Sequence, residues 1–190
     1  MKLHLGCGNK IYPDWVNIDK YDVHATVRMD IVDLPPYNPN SVDEIYTSHT
    51  VEHLSPDRFK KGLRRWYQIL KPRGILVIRC PNAEFQLRRY VEASTEELFK
   101  NASEYVINII GHQKSGLRNQ NLLTRELLIK YVEDAGFDID SCNLVSNRCD
   151  TLVKVLKDGG RDRGTTYEGV NKRDLWCKAY KSGGKNDTVI

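Results

Sequence analysis

The sequence predicts an α/β fold, a Rossmann-like, mostly parallel seven-stranded sheet with an antiparallel edge and helices on its faces. Three observations carry that expectation. Short runs rich in Val, Ile and Leu alternate with segments of helical periodicity, as in strands joined by crossovers. The first run ends in a Gly-x-Gly turn, Gly6-Cys7-Gly8, where glycines let a ligand approach the backbone. The last two strand-like runs have no helical pattern between them, which favours an antiparallel pairing at that edge.

The elements follow in order. Leu3 to Leu5 reads as a strand closed by Gly6-Cys7-Gly8-Asn9, and Val16 to Asp19 as a second. The stretch between them contains Pro13 and is too short for a full crossover helix, so the first crossover is shortened. Val27 to Ile31 is a third strand, and the loop around Pro35, Pro36 and Pro39 separates it from a fourth, Val42 to Ser48. Ser55-Pro56 has the N-cap and first-turn chemistry that opens a helix. Phe59, Leu63, Trp66, Tyr67 and Leu70 give that helix one apolar face, and Lys71-Pro72-Arg73-Gly74 stops it. Gly74 to Cys80 is a buried strand. Residues 83–110 read as two helical pieces broken near Ser94-Thr95, and 111–121 as a polar loop. Thr124 caps a further helix with Leu127, Leu128, Tyr131 and Val132 on one face and Gly136 at its end. Phe137 to Val145 and Leu175 to Tyr180 are the last strands, with an irregular, charged segment between them.

The chain has 190 residues, the size of one domain, expected over 1–181 with a disordered tail at 182–190. Charged residues make up 28% and no apolar run approaches a bilayer span, so a globular cytoplasmic protein is expected. The five cysteines are odd in number and form no Cys-x-x-Cys pair, which argues against a disulfide scaffold or thiolate zinc site. A net charge of +4 allows an anionic partner without requiring one.

The turn discriminates between ligands. A dinucleotide fingerprint needs a third glycine three positions after Gly8, and Ile11 stands there. A ligand without a pyrophosphate is therefore favoured. Asp19, at the end of the second strand, is placed to accept both ribose hydroxyls of a nucleoside. That role predicts that Asp19→Ala weakens ligand binding and barely moves the stability of the free protein.

Further along come Asp30, Leu34-Pro35, Asp43-Glu44-Ile45-Tyr46, Glu52-His53-Leu54 and Leu70-Lys71-Pro72-Arg73-Gly74. In this order the chain resembles the class I S-adenosylmethionine-dependent methyltransferases, above all small members with L-G-C-G and E-H-L motifs. The likeness is close over residues 2–81 and looser beyond. It implies S-adenosyl-L-methionine as cofactor. It also implies that Leu5, Gly6, Cys7, Gly8 and Asn9 wrap the methionine end, that Asp19 holds the ribose, and that Lys20 belongs to the cofactor-binding set. Asp30 would accept from the adenine amino group beside the Ile31 N–H, and Ser48 and His49 would line the site. Two departures stand out. The sequence starts at the first strand, without the N-terminal helix many relatives carry, and Arg73 stands where glycine is usual.

His49-Thr50-Val51-Glu52-His53 also fits the H-x-x-E-H zinc signature. It follows a strand and abuts the Ser55-Pro56 helix start, so a metal-binding helix does not fit and no metal is expected. Glu52 and His53 are expected to fix the loop by hydrogen bonds. Arg58, Lys60, Lys61, Arg64 and Arg65 fall opposite the apolar stripe of their helix and read as a solvated face, not a nucleic-acid surface.

The activity expected is O-methylation of a small molecule or glycan precursor. Such an acceptor needs a general base, and His49 and His112 are the candidates. The rival enzyme is an RNA or protein methyltransferase using the basic 154–173 segment. The rival from another class is a cofactor-binding protein without catalysis.

Overall fold

The computed structural model describes residues 1–22, 24–112, 117–143 and 174–182. Among these, nine strands and four helices follow in the order β1 (Lys2–Leu5), β2 (Val16–Asp19), β3 (Val27–Arg28), β4 (Val42–Ser48), α1 (Pro56–Ile69), β5 (Leu70–Pro81), α2 (Ala83–Glu92), α3 (Thr95–Ile110), β6 (Gly111–His112), β7 (Leu117–Arg118), α4 (Arg125–Asp134), β8 (Phe137–Asn143) and β9 (Asp174–Lys181). A 3-10 turn, Val51–His53, joins β4 to α1.

Seven strands form one sheet in the order β3-β2-β1-β4-β5-β9-β8. The pairings from β3 to β5 are parallel, while β9 runs antiparallel to both neighbours. The antiparallel pairing is at the expected edge, although the reversed strand lies one position in from it. The topology reverses between β1 and β4, since β2 and β3 extend one way and β4 and β5 the other. In open α/β sheets, ligands bind beyond the strand ends at that reversal. The Gly6 turn and His49 both follow strands that flank it.

Alternation along the strands sorts their side chains between two faces. Leu3, Leu5, Ile45, Leu76 and Ile78 join the buried core that also contains Phe59, Leu63 and Trp66 of α1 and Leu128 and Val132 of α4. Helices on both faces were expected. The opposite face instead carries Tyr12, Trp15, Tyr46 and Val77, so a loop cluster stands where a first crossover helix would lie. Asn17 organises that loop. Its Oδ1 accepts from Tyr12 N at 3.0 Å, and its Nδ2 donates to the carbonyls of Tyr12 and Trp15 at 2.9 and 3.0 Å. His4 completes the cluster, stacked on Tyr12 with ring centroids 4.4 Å apart.

Both caps read from the sequence are formed. Ser55 accepts from Arg58 N and Thr124 from Leu127 N. Three details differ. β3 stops at Arg28, which leaves Asp30 in the turn beyond it. β5 begins at Leu70, with a break in its pairing to β4 between Val42 and Glu44. The 111–121 loop contains the antiparallel pair β6 and β7. The charged segment between β8 and β9, most of it, and the tail after Ser182 lie outside the described residues.

Candidate active site

The turn after β1 spends its own donors. Gly6 N and Cys7 N both bond to Ile18 O, at 2.8 and 3.2 Å, and Gly8 N donates to Asp19 Oδ2 at 3.0 Å. A pyrophosphate needs such N–H groups free. Gly6 has φ +67°, and a Cβ there would lie 2.2 Å from the Thr50 side chain. Gly8 has φ +50°, and a Cβ there would meet nothing within 4 Å. One glycine thus packs the loop against the turn after β4, and the other leaves an open face. Leu5 is fully buried in the core, so only its backbone can face a ligand. Burial and the nearby Asp19 and Asp22 push the Cys7 thiol up to about 11.

Asp19 is held from three sides. Oδ1 accepts from Tyr21 N at 2.8 Å and Asp22 N at 3.0 Å, and Oδ2 takes Gly8 N. Burial raises its carboxyl, but these N–H groups outweigh it and hold the group below the usual range. A carboxylate has about four acceptor positions. Three are occupied by backbone, which leaves one for a ribose hydroxyl where two were expected.

Asp30 is engaged by three groups of the protein itself. Its oxygens accept from Val32 N, from Lys20 Nζ at 3.2 Å and from Arg58 Nη2 at 3.0 and 2.7 Å. Burial raises its carboxyl, and these partners bring it below the usual range. Its acceptor positions are filled, so an adenine amino group must displace a cation, with Lys20 the longest contact. Ile31 is buried and its carbonyl accepts from Trp66 Nε1 at 2.8 Å. The basic side of α1 is largely exposed, as expected, and some of its side chains reach back to the 30–37 segment. Besides Arg58, Lys61 pairs with Asp33 at 2.7 Å, and Arg65 donates to the carbonyls of Asp33, Leu34 and Tyr37.

Beyond Ser48, the backbone turns sharply at His49, with φ +52°. The His49 ring lies between two carboxylates. Nε2 is 3.2 Å from Asp174 Oδ2, and Nδ1 is 3.6 Å from Glu52 Oε1. Burial lowers its pKa, but Asp174 and Glu52 more than reverse that and raise it to about 9. The ring is 45% exposed, so solvent screens part of this effect. The two carboxylates thus favour the charged form of the ring. Arg79 of β5 also binds Asp174 Oδ2, through Nε at 2.7 Å and Nη2 at 2.6 Å, and lies over the Trp176 ring. Asp174 and Arg79 were not found from sequence. Asp174 is 125 residues from His49 and no local spacing signals the contact. His112 lies in β6, and its side chain is outside the described residues.

Glu52 and His53 fix the loop before α4, chiefly through their carbonyls. Glu52 O accepts from Gln120 N and Asn121 N, and His53 O from Gln120 Nε2. Beside them a cleft opens at the carboxyl end of β5, lined by Glu52, Pro81, Gln86, Asn119, Asn121 and several apolar side chains of α2, α3 and the 122–123 segment. Among the described residues, no cluster of three His, Cys, Asp or Glu is arranged to hold a metal ion.

Residues 7–78 match a family described as a methyltransferase domain. The match runs from the Gly6 turn into β5 and takes in Asp19, Asp30 and His49. The fold is that of the S-adenosylmethionine-dependent methyltransferases. A SAM-dependent methyltransferase from Archaeoglobus fulgidus superimposes with a TM-score of 0.56 at 18% identity, covering 95% of this chain and 85% of that one. One from Methanosarcina mazei gives 0.60 at 14% identity, covering 96% and 92%. The [4+2]-cyclase SpnF gives 0.57 at 17% identity, covering 96% and 75%. One fold thus carries more than one chemistry, and the reaction has to be argued from the site. A search of curated proteins returned no match.

Proposed function

We propose that this chain is an S-adenosylmethionine-dependent methyltransferase acting on a hydroxyl oxygen of a small molecule or glycan precursor. The observation that carries the reading is the state of the Gly6 turn. Its three N–H groups are bonded internally, one of them to the Asp19 carboxylate, and Gly8 presents an open face. That combination disfavours a dinucleotide and fits the methionine end of a sulfonium nucleoside. The residues assigned to hold it are the backbone of Leu5 to Asn9, the remaining acceptor position of Asp19, the 30–32 turn with Lys20, and the Ser48–His49 bend. When bound, the cofactor supplies a methyl group already activated on a sulfonium centre, so the protein's task is positioning, exclusion of water and removal of the acceptor proton.

In this reading residues 1–181 act as one domain. Cys7 is a buried free thiol, which suits the reducing cytoplasm. None of the described helices is long and apolar enough to cross a membrane. The test is transfer of a labelled methyl group from S-adenosylmethionine to a panel of phenols, alcohols and sugars, with amines as controls. Label on a hydroxyl acceptor is the expected result. Label confined to amines would overturn the choice of oxygen.

A further inference from the structure

Asp19 and Asp30 follow neighbouring strands at the carboxyl edge of the sheet. Asp19 closes β2, Asp30 lies in the turn beyond β3, and β2 pairs with β3 through Asp19 and Arg28. Met29 N also bonds to Asp19 O at 3.0 Å. Paired strands lie about 4.8 Å apart, so a nucleoside with its ribose on Asp19 can reach the 30–32 turn with its base. Lys20 already spans the same gap. It follows Asp19 directly, and its Nζ lies 3.2 Å from Asp30 Oδ2.

The groups on Asp30 are not held alike. Val32 N belongs to the turn itself and lies 3.0 Å from Oδ1. Arg58 Nη2 meets both oxygens, at 3.0 and 2.7 Å. Its helix is fixed on the turn, since Phe59 and Trp66 are fully buried and Trp66 Nε1 donates to Ile31 O at 2.8 Å. Lys20 makes a single contact, the longest of the four. Its stem is flexible and its side chain is 51% exposed. Its ammonium also lies 5.6 Å from the centre of the Tyr21 ring, a second partner for a cation that leaves Asp30. An exposed ion pair of this kind is weak and is screened by salt. Lys20 is therefore the group that a ligand displaces at least cost.

Two kinds of purine meet this arrangement differently. The exocyclic amino group of adenine donates, and the acceptor positions of a carboxylate, about four, are all taken. It bonds to Asp30 only after Lys20 leaves. The exocyclic oxygen of hypoxanthine accepts, and Lys20 can donate to it where it stands. We propose that Lys20 is a specificity-determining residue of the cofactor site, an exchangeable counter-ion that competes with the amino group for Asp30. It lowers the preference for adenine over an oxo-purine, while Arg58 is the fixed partner that positions the carboxylate. The inference rests on the methyltransferase reading and changes one part of it, since Lys20 then opposes the base that the 30–32 turn receives.

The test is calorimetric titration of the full chain with S-adenosylhomocysteine and with S-inosylhomocysteine, which carries oxygen in place of the amino group. Lys20→Met should bind S-adenosylhomocysteine about twofold to fivefold tighter than the wild type, because one exposed ion pair no longer has to be broken. Its affinity for S-inosylhomocysteine should be unchanged or lower. A merely structural effect would move both ligands alike. Lys20→Arg keeps a cation on Asp30 and should stay near the wild-type ratio of the two affinities. Added salt should raise that ratio in the wild type, an arm that needs no variant to fold, and leave it level in Lys20→Met. Weaker binding of S-adenosylhomocysteine by Lys20→Met, an equal change for both ligands, or a wild-type ratio indifferent to salt would overturn the proposal. Failure of both ligands to bind wild type and variants alike would strike the cofactor reading itself, and the proposal with it.

Discussion

Replacing Asp19 with alanine removes the acceptor for three backbone N–H groups at once, those of Gly8, Tyr21 and Asp22, at 3.0, 2.8 and 3.0 Å. Each bond to a charged acceptor is worth roughly 1.5–3 kcal/mol when fully dry. Asp19 is only half-buried, and water can reach part of the turn, so the three do not sum. A loss of about 1–3 kcal/mol for the ligand-free protein follows. This reverses the expectation from sequence, in which Asp19 served the ligand alone. The remaining acceptor position would bond one ribose hydroxyl, so affinity for S-adenosylhomocysteine should fall by about tenfold. Asp19→Asn keeps one oxygen and should lose less stability than the alanine variant. Urea denaturation without ligand measures the first effect and calorimetry the second. An alanine variant as stable as the wild type, within about 0.5 kcal/mol, would refute the loop-anchoring role.

Gly6→Ala should destabilise by more than about 2 kcal/mol, through the left-handed φ and a Cβ placed 2.2 Å from Thr50, and Thr50→Gly in the same chain should recover part of it in denaturant unfolding. His4 is buried and held neutral, with burial lowering its pKa from 6.5 to about 4. Its contribution is thus full above pH 6.5 and is lost as pH falls toward 4, by roughly 3 kcal/mol at most, which urea midpoints at pH 7 and pH 4.5 should show and His4→Gln should blunt. Arg73 adopts φ +64°, so Arg73→Gly should raise stability by about 0.5–1 kcal/mol in thermal unfolding, while unchanged or lowered stability would count against strain at that turn.

Much of the frame was legible because local chemistry decides it. β2 and β4 follow their apolar runs, and Ser55 and Thr124 cap the helices they precede. The third strand was read too long because Met29 and Ile31 look strand-like, yet Asp30 forms a turn by accepting from Val32 N. The loop cluster of Tyr12 and Trp15 was not legible, since its aromatic residues meet Tyr46 only once the sheet has formed. The same limit applies at the site. Arg58 lies 28 residues from Asp30, and Asp174 lies 125 from His49, so no spacing rule joins either pair. Position along the chain pointed to His49, but not to the two carboxylates that flank its ring.

Calorimetric titration of the purified chain with S-adenosylhomocysteine, and separately with NAD, tests the cofactor assignment most directly. A turn whose N–H groups are spent should bind S-adenosylhomocysteine with one-to-one stoichiometry and give no heat with NAD. Tight binding of NAD with no response to S-adenosylhomocysteine would contradict it.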